Sequence, residues 1–135
     1  MAWNVALSRE EIEFLMEAGI IYRDSGRFAQ AREVLTGLRA LLPQSDTVLV
    51  GLGTISFQQG DFEGAAQHYR QAIDVNPRSA YAYAHLGELE IFRKNKEQAA
   101  EHLKTAIKLD PRGKYGSFAR ALLEFGAAVR YQETV

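Results

Sequence analysis

AIDVNP at residues 72–77 returns almost unchanged as AIKLDP at residues 106–111, which lies 34 residues further along the chain. The same shift aligns a glycine, an alanine, a large residue and a proline in three successive units at residues 12–45, 46–79 and 80–113. The aligned positions are Gly19, Gly53 and Gly87; Ala31, Ala65 and Ala99; Leu35, Tyr69 and Leu103; and Pro43, Pro77 and Pro111. Agreement at spaced positions in every copy indicates an internal repeat.

Each unit is predicted to contain two helices. In the second unit, apolar residues recur at helical spacing on both sides of the polar stretch QQGD at residues 58–61, and Pro77 ends the pattern. Ser45 is placed to cap the following helix, and Ser8 with Glu11 makes a capping-box pattern ahead of the first unit. Because one helix pair cannot bury its apolar face alone, stacked pairs are expected to share a continuous core.

The period and the residue types resemble the tetratricopeptide repeat. Small residues, large residues and prolines stand at that family's positions throughout the three units. They are Leu15, Gly19, Tyr22, Ala31, Leu35 and Pro43 in the first, Leu49, Leu52, Gly53, Ala65, Tyr69, Ala72 and Pro77 in the second, and Tyr83, Leu86, Gly87, Ala99, Leu103, Ala106 and Pro111 in the third. The resemblance implies an all-α fold: a right-handed α-solenoid of three helix pairs.

The two ends of the chain fall outside the repeats. An apolar stripe at helical spacing in residues 114–135 predicts an amphipathic helix that caps the last repeat. Residues 1–11 form an N-terminal arm with Trp3 and Val5, for which three alternatives stay open: packing on the first helix, homodimerisation, or no contact. The predicted cap has Phe118, Leu122, Phe125 and Val129 on its apolar side and Arg120, Glu124 and Arg130 toward water.

Composition narrows the classes of function. The chain has 135 residues, a net charge of −1 and no cysteine. A nearly neutral chain has no overall attraction to nucleic acid or anionic lipid, and the lack of cysteine excludes disulfides, thiol nucleophiles and cysteine-bound metals. The sequence also lacks a long uncharged apolar run and a signal-peptide pattern, so we expect a cytoplasmic protein without membrane insertion.

No set of residues in the sequence predicts catalysis. His68, His85 and His102 are evenly spaced, but this spacing follows from the repeat and puts them on different helices, so we expect no metal site. The stretches GLG at residues 51–53 and RGKYGS at residues 112–117 lack the spacing of phosphate-binding loops. We therefore predict neither an enzyme nor a cofactor, and basic residues interleaved with acidic ones argue against nucleic-acid binding.

The resemblance also implies a binding face, because the first helices of tetratricopeptide repeats line a concave surface. Position by position, most of this lining is apolar, whereas relatives that grip a terminal carboxylate carry lysines and asparagines there. We therefore expect a groove that takes an apolar segment of a partner protein. Besides Glu13, the predicted lining is Met16, Ile20 and Arg23 in the first unit, Thr47, Val50, Thr54 and Phe57 in the second, and Tyr81, Ala84, Glu88 and Ile91 in the third.

A narrower resemblance concerns residues 12–73, where stretches such as GDFEGAAQHY at residues 60–69 look like the small tetratricopeptide chaperones of bacterial type III secretion. This likeness implies a cytoplasmic chaperone or adaptor that shields an apolar segment of a secreted protein. The alternative hypothesis is a scaffold or assembly subunit of a larger multiprotein complex.

Overall fold

A computed structural model describes the backbone of residues 6–134 and the side chains of residues 6–126. The described chain is helical throughout, without a strand, and its helices follow one another at short turns. They are α1 (Arg9–Asp24), α2 (Phe28–Leu41), α3 (Asp46–Gln58), α4 (Phe62–Val75), α5 (Ala80–Phe92), α6 (Lys96–Leu109) and α7 (Lys114–Thr134). The predicted all-α solenoid of three helix pairs with a capping helix is confirmed.

Helices α1 and α3 begin where capping residues were predicted. Ser8 Oγ accepts a hydrogen bond from Glu11 N at 3.1 Å, and Glu11 Oε1 accepts one from Ser8 N at 3.2 Å. Ser45 Oγ likewise accepts from Val48 N at 3.3 Å at the start of α3. These bonds satisfy backbone donors that a helix leaves unpaired in its first turn.

The glycine of each repeat lets the two helices of a pair approach closely. A Cβ atom on Gly87 would lie 2.5 Å from Leu103 Cδ2, and one on Gly53 would overlap the ring of Tyr69. Leu103 and Tyr69 are 1% and 0% exposed, respectively. The large residue of the second helix therefore occupies the space that the glycine of the first helix leaves empty, which fixes the geometry of every pair.

Three apolar clusters run along the stack and join each pair to the helix that follows it. The first contains Leu35 and Leu38 with residues of α3, the second packs Tyr69 against Leu86 and Leu89 of α5, and the third continues into α7. Each pair thus completes its core with the next pair, as expected for a solenoid.

The capping helix α7 closes the third pair. Ala119 is fully buried, Phe118 and Leu122 are half-buried, and Arg120 is exposed, as the amphipathic pattern predicts. Phe125 differs, because 55% of its surface is exposed. The predictions for Trp3, Val5, Val129 and Arg130 lie outside the residues whose side chains are described.

The turns inside the three pairs share one backbone conformation but not one residue type. Gly26 and Gly60 have φ angles of 78° and 80°, and Lys94 adopts φ 63° at the corresponding place in the third pair. Beside Lys94, the buried Glu90 carboxylate accepts hydrogen bonds from Asn95 Nδ2 at 2.6 Å and from an Arg93 guanidinium nitrogen at 3.4 Å. These bonds hold the third turn in a conformation that is unfavourable for lysine.

Candidate functional site

The first helices of the three pairs and the capping helix lie side by side and form one face, here called the inner face. Arg23 on α1 donates a hydrogen bond to Thr54 Oγ1 on α3 at 2.7 Å. The rings of Phe57 on α3 and Phe92 on α5 are 5.1 Å apart, centroid to centroid. The row ends at α7, where Tyr115 in the first turn stacks on Tyr81 of α5.

An open groove lies between α1 and the start of α3. It has a volume of about 410 Å³. Met16, Ile20 and Thr47, three of the predicted binding residues, are brought together in it, and Glu13 lies at the same place. The groove is completed by Ile12, Glu17, Ser45 and Val48.

Sequence reasoning missed Ile12 and Glu17, although the sequence carries a signal for both. Ile12 is four residues before Met16, and Glu17 is four residues after Glu13, so each lies on the same side of α1 as a predicted residue.

Three predicted contact residues require correction, because the protein itself buries them. Val50 and Ala84 have no exposed surface, and Thr54 is only 5% exposed. Val50 belongs to the same apolar cluster as Tyr69 and Leu86, so it faces the core between the second and third pairs. These residues pack in the interior beneath the inner face, and they offer almost no surface that a partner could contact.

Arg23 joins two helices of the inner face. Besides its bond to Thr54, its Nε donates to Asp24 Oδ1 at 2.9 Å. The hydrogen bond from Arg23 lowers the pKa of the Asp24 carboxyl below its ordinary value. Only 16% of the Arg23 side chain is exposed. The arginine therefore forms a mostly buried link between α1 and α3.

The other half of the inner face, between α5 and α7, is filled with aromatic rings. Tyr81 stacks on Tyr115 with centroids 4.7 Å apart, and His85 lies 5.2 Å from the ring of Phe118. Burial raises the pKa of the Tyr81 hydroxyl. Glu88, a predicted contact residue, is half-buried and pairs with His85 Nδ1 at 3.1 Å.

Tyr115 and Phe118 were also missed as residues of this face. Adding the 34-residue period to Tyr81 and Ala84 leads to these two residues, so the capping helix continues the inner positions of the repeats. The lining that the three repeat units predict does not include these two rings.

A small apolar patch occupies the edge of the inner face at the end of α5. Phe57, a predicted residue, is half-buried there. Ile91, also predicted, is half-buried and packs against the cluster that continues into α7. Phe92 was not predicted, although it follows Ile91 directly, and 58% of its surface is exposed. The ring centroids of Phe57 and Phe62 are 5.5 Å apart. The patch is aromatic, whereas the groove beside α1 has aliphatic walls.

The histidines do not converge on one point. His68, His85 and His102 lie on α4, α5 and α6, and burial lowers the pKa of His68 and of His102. Among the described residues, no group of three or more histidine, aspartate or glutamate side chains could hold a metal ion together. Over the same residues, every helix is too short or too polar to serve as a membrane span.

Two models of the tetratricopeptide repeat match the sequence, one at residues 53–89 and the other at residues 80–112. These matches show that residues 53–112 contain tetratricopeptide repeats. The stacked helix pairs have the tetratricopeptide-repeat fold. A search of the curated proteins for sequence relatives of this repeat protein found no match.

Solved structures with the same fold cover almost the whole repeat protein. The type III secretion translocator chaperone SycD of Yersinia enterocolitica is 18% identical, with a TM-score of 0.73 over 93% of this chain and 90% of SycD. PcrH of Pseudomonas aeruginosa, solved with the chaperone-binding region of PopD, is 20% identical, with a TM-score of 0.73 over 95% of this chain and 99% of PcrH.

A third structure with the same fold was solved with a peptide of a different protein, HSP90. The first tetratricopeptide domain of Spaghetti (RPAP3), solved with the HSP90 peptide SRMEEVD, is 17% identical, with a TM-score of 0.72 over 95% of this chain and 99% of that domain. At these identities the likeness establishes a shared fold for the repeat protein and these three structures.

Proposed function

We propose that this repeat protein is a protein-interaction module whose inner face binds a segment of a partner protein. The observation that carries the proposal is the open groove between α1 and α3, about 410 Å³ in volume and lined by Ile12, Met16 and Ile20. A concave surface lined by apolar side chains with a few polar groups is typical of ligand sites. Structures of this fold solved with peptides of PopD, YopD and HSP90 lend support.

The size of the groove sets what it can hold. A cavity of about 410 Å³ falls at the lower end of the range for ligand sites, about 300–1,000 Å³. It therefore suits two or three side chains of an extended or helical segment. Full burial of one aliphatic side chain contributes about 1.5–3 kcal/mol, and ordering the segment offsets part of this. Micromolar affinity is the expected range.

The specific role that we propose is that of a cytoplasmic chaperone or adaptor resembling those of type III secretion. Such a protein would cover an apolar segment of its partner until the partner is exported. Support comes from the match in fold over 90% of SycD and 99% of PcrH. Shielding needs an aliphatic groove that is open to a chain, and the α1–α3 half of the inner face provides one.

The second candidate is a scaffold or assembly subunit, and one observation favours it. Phe14 and Ile21 on α1 are 69% and 60% exposed and lie seven residues apart, on one side of the helix. Neither residue lines the groove. A scaffold requires a second contact surface besides the groove, and this pair could provide it toward another protein or a second copy of the chain.

The groove can be tested by selecting binders from a displayed library of random peptides on the immobilised protein. The test variant is Met16→Gln/Ile20→Gln, which removes apolar surface from the groove. Its matched control is Phe14→Gln/Ile21→Gln, two equivalent changes on the same helix outside the groove. We expect the selected peptides to bind the test variant at least tenfold more weakly and the control like the wild type.

Circular dichroism and thermal unfolding must first show that both variants fold, since Met16 also packs on the first apolar cluster. Equal binding of the selected peptides by the folded test variant and the wild type would overturn the proposal.

To separate chaperone from scaffold, the partner isolated from the native host is expressed with and without this protein. A chaperone raises the soluble yield of its partner, whereas a scaffold joins partners that are already soluble.

A further inference from the structure

The groove wall on α1 carries two parallel rows of side chains with different chemistry. Ile12, Met16 and Ile20 follow one another at steps of four residues and form an aliphatic row. Glu13 and Glu17 make a second row beside it, with the same step. Residues four apart on a helix lie on one side, with Cβ atoms about 6 Å from each other. The aliphatic wall therefore has an acidic border along its length.

The carboxylates of this border are available to a ligand. Glu17 makes no ion pair with any described residue, and the partner of Glu13 is Arg9, at 3.0 Å, in a pair whose side chains are 64% and 91% exposed. Such exposed pairs exchange readily with other partners. No basic side chain lines the groove among the described residues.

The neighbouring charges do not neutralise the border. Arg23, the nearest cation further along α1, is held by Thr54 and Asp24. At the start of α3, the Ser45 side chain accepts from Val48 N, and Asp46 accepts a hydrogen bond from Asn76 Nδ2 at 3.2 Å. The helix terminus at this end of the groove is therefore already capped and carries an acid of its own.

We propose that the groove selects a cationic amphipathic segment. Aliphatic side chains of the segment pack on Ile12, Met16 and Ile20, and lysine or arginine side chains on its adjoining side pair with Glu13 and Glu17. An acidic segment such as SRMEEVD, which binds a domain of the same fold, would meet like charges here. This inference rests on the proposed function, because it names the chemistry of the segment that the groove takes.

The expected size of the selection follows from exposed ion pairs. One such pair contributes about 0.2–1 kcal/mol, which corresponds to a factor of about 1.4 to 5 in affinity. Two pairs together give roughly a tenfold preference, and replacing attraction by repulsion widens it further. Screening by salt reduces the preference, since the groups are open to solvent.

The test uses three dye-labelled octapeptides in which leucine alternates with lysine, glutamine or glutamate, measured by fluorescence anisotropy at physiological ionic strength. In an extended peptide, every second residue lies on the same side about 6.8 Å apart, close to the spacing of the two carboxylates. The test variant is Glu13→Gln/Glu17→Gln. Its control, Glu33→Gln/Glu97→Gln, makes the same change in net charge at exposed positions on α2 and α6.

We expect the leucine–lysine peptide to bind the wild type about tenfold more tightly than the leucine–glutamine peptide, with the leucine–glutamate peptide weakest. The Glu13→Gln/Glu17→Gln variant should bind all three within about twofold of one another, and the control should keep the wild-type order. A preference for lysine that survives in the test variant would overturn the inference, because the attraction would then come from elsewhere on the protein.

The same peptides separate this inference from the proposed function. If all three bind the wild type equally and all are weakened by Met16→Gln/Ile20→Gln, charge selection fails while the groove remains the binding site. If none of the three binds, charge selection also fails, and the library selection described above decides on the groove independently.

Discussion

The two halves of the inner face are built from the same repeat, but one half is an open groove and the other is filled with side chains. Beside α1, the inner positions leave a groove of about 410 Å³ with aliphatic walls. Beside α7, the corresponding positions hold stacked rings, with Tyr81 and Tyr115 4.7 Å apart. Helix α5 has the capping helix as its neighbour along the row, whereas α1 is the first described helix of the row. A repeat with one inner pattern can therefore leave a groove at one end and fill the corresponding positions at the other.

The comparison shows that the closing residues belong to the cap. Tyr115 and Phe118 stand one period after Tyr81 and Ala84, and they are larger than the small residue that Ala84 contributes. A capping helix usually protects the apolar end of a solenoid from water. Here it also fills the adjoining part of the inner face, and the proposed binding surface lies toward the first repeat.

A substitution at the boundary between the two halves is expected to have the largest effect on the free energy of unfolding. Val50 has no exposed surface, whereas Thr47, one turn earlier on α3, is exposed and lines the groove. Val50→Glu would bury an unpaired charge and is expected to cost at least about 3 kcal/mol, enough to unfold much of the protein. Thr47→Glu should stay within about 1 kcal/mol of the wild type.

Chemical denaturation followed by far-ultraviolet circular dichroism measures both changes. A well-folded Val50→Glu protein would mean that the middle of the inner face is open to water, which would erase the distinction between the two halves.

A substitution in the closed half tests the role of the rings. Tyr115→Ala removes the ring that stacks on Tyr81, and we expect it to destabilise the protein by about 2 kcal/mol through lost stacking and burial. Binding of peptides selected for the α1–α3 groove should stay within about twofold of the wild type. Urea unfolding gives the first quantity and fluorescence anisotropy the second. A tenfold loss of binding by the folded variant would place part of the binding site in the closed half.

Substitutions in the turns inside the helix pairs are expected to have the smallest effect on the free energy of unfolding. Lys94 adopts a positive φ angle where Gly26 and Gly60 stand in the pairs nearer the groove. Lys94→Gly is expected to raise the free energy of unfolding by about 0.5–1 kcal/mol, because glycine adopts this conformation without strain. The reverse change, Gly60→Lys, should lower it by a similar amount, since that turn lacks the support that Glu90 gives to the third.

Thermal unfolding of both variants provides the measurement. If Lys94→Gly is neutral while Gly60→Lys destabilises, the hydrogen bonds of Glu90 to Arg93 and Asn95 fully offset the strain in the third turn. If Gly60→Lys is neutral as well, the positive φ angle carries no cost in these turns, and the argument from backbone strain fails.

The repeat period predicted most of the fold but only part of the site. The shift of 34 residues located the helix pairs, and the capping pattern of Ser8 and Glu11 matched the start of α1. Helical spacing gives the direction of a side chain, but it does not give the distance to the neighbouring helix. Val50 and Ala84 are predicted to point inward and are nevertheless covered. Val50 packs with residues of α4 and α5, and Ala84 packs with residues of α6 and α7.

The most direct test of the account is a map of amide chemical shifts on binding, recorded by NMR with a peptide selected from the library. We predict that the largest changes fall on α1 around Met16 and Ile20 and on the first turn of α3 around Thr47, with little change at Tyr115 and Phe118. Changes centred on α5 and α7 instead would show that the aromatic half of the inner face receives the partner, and would contradict the account.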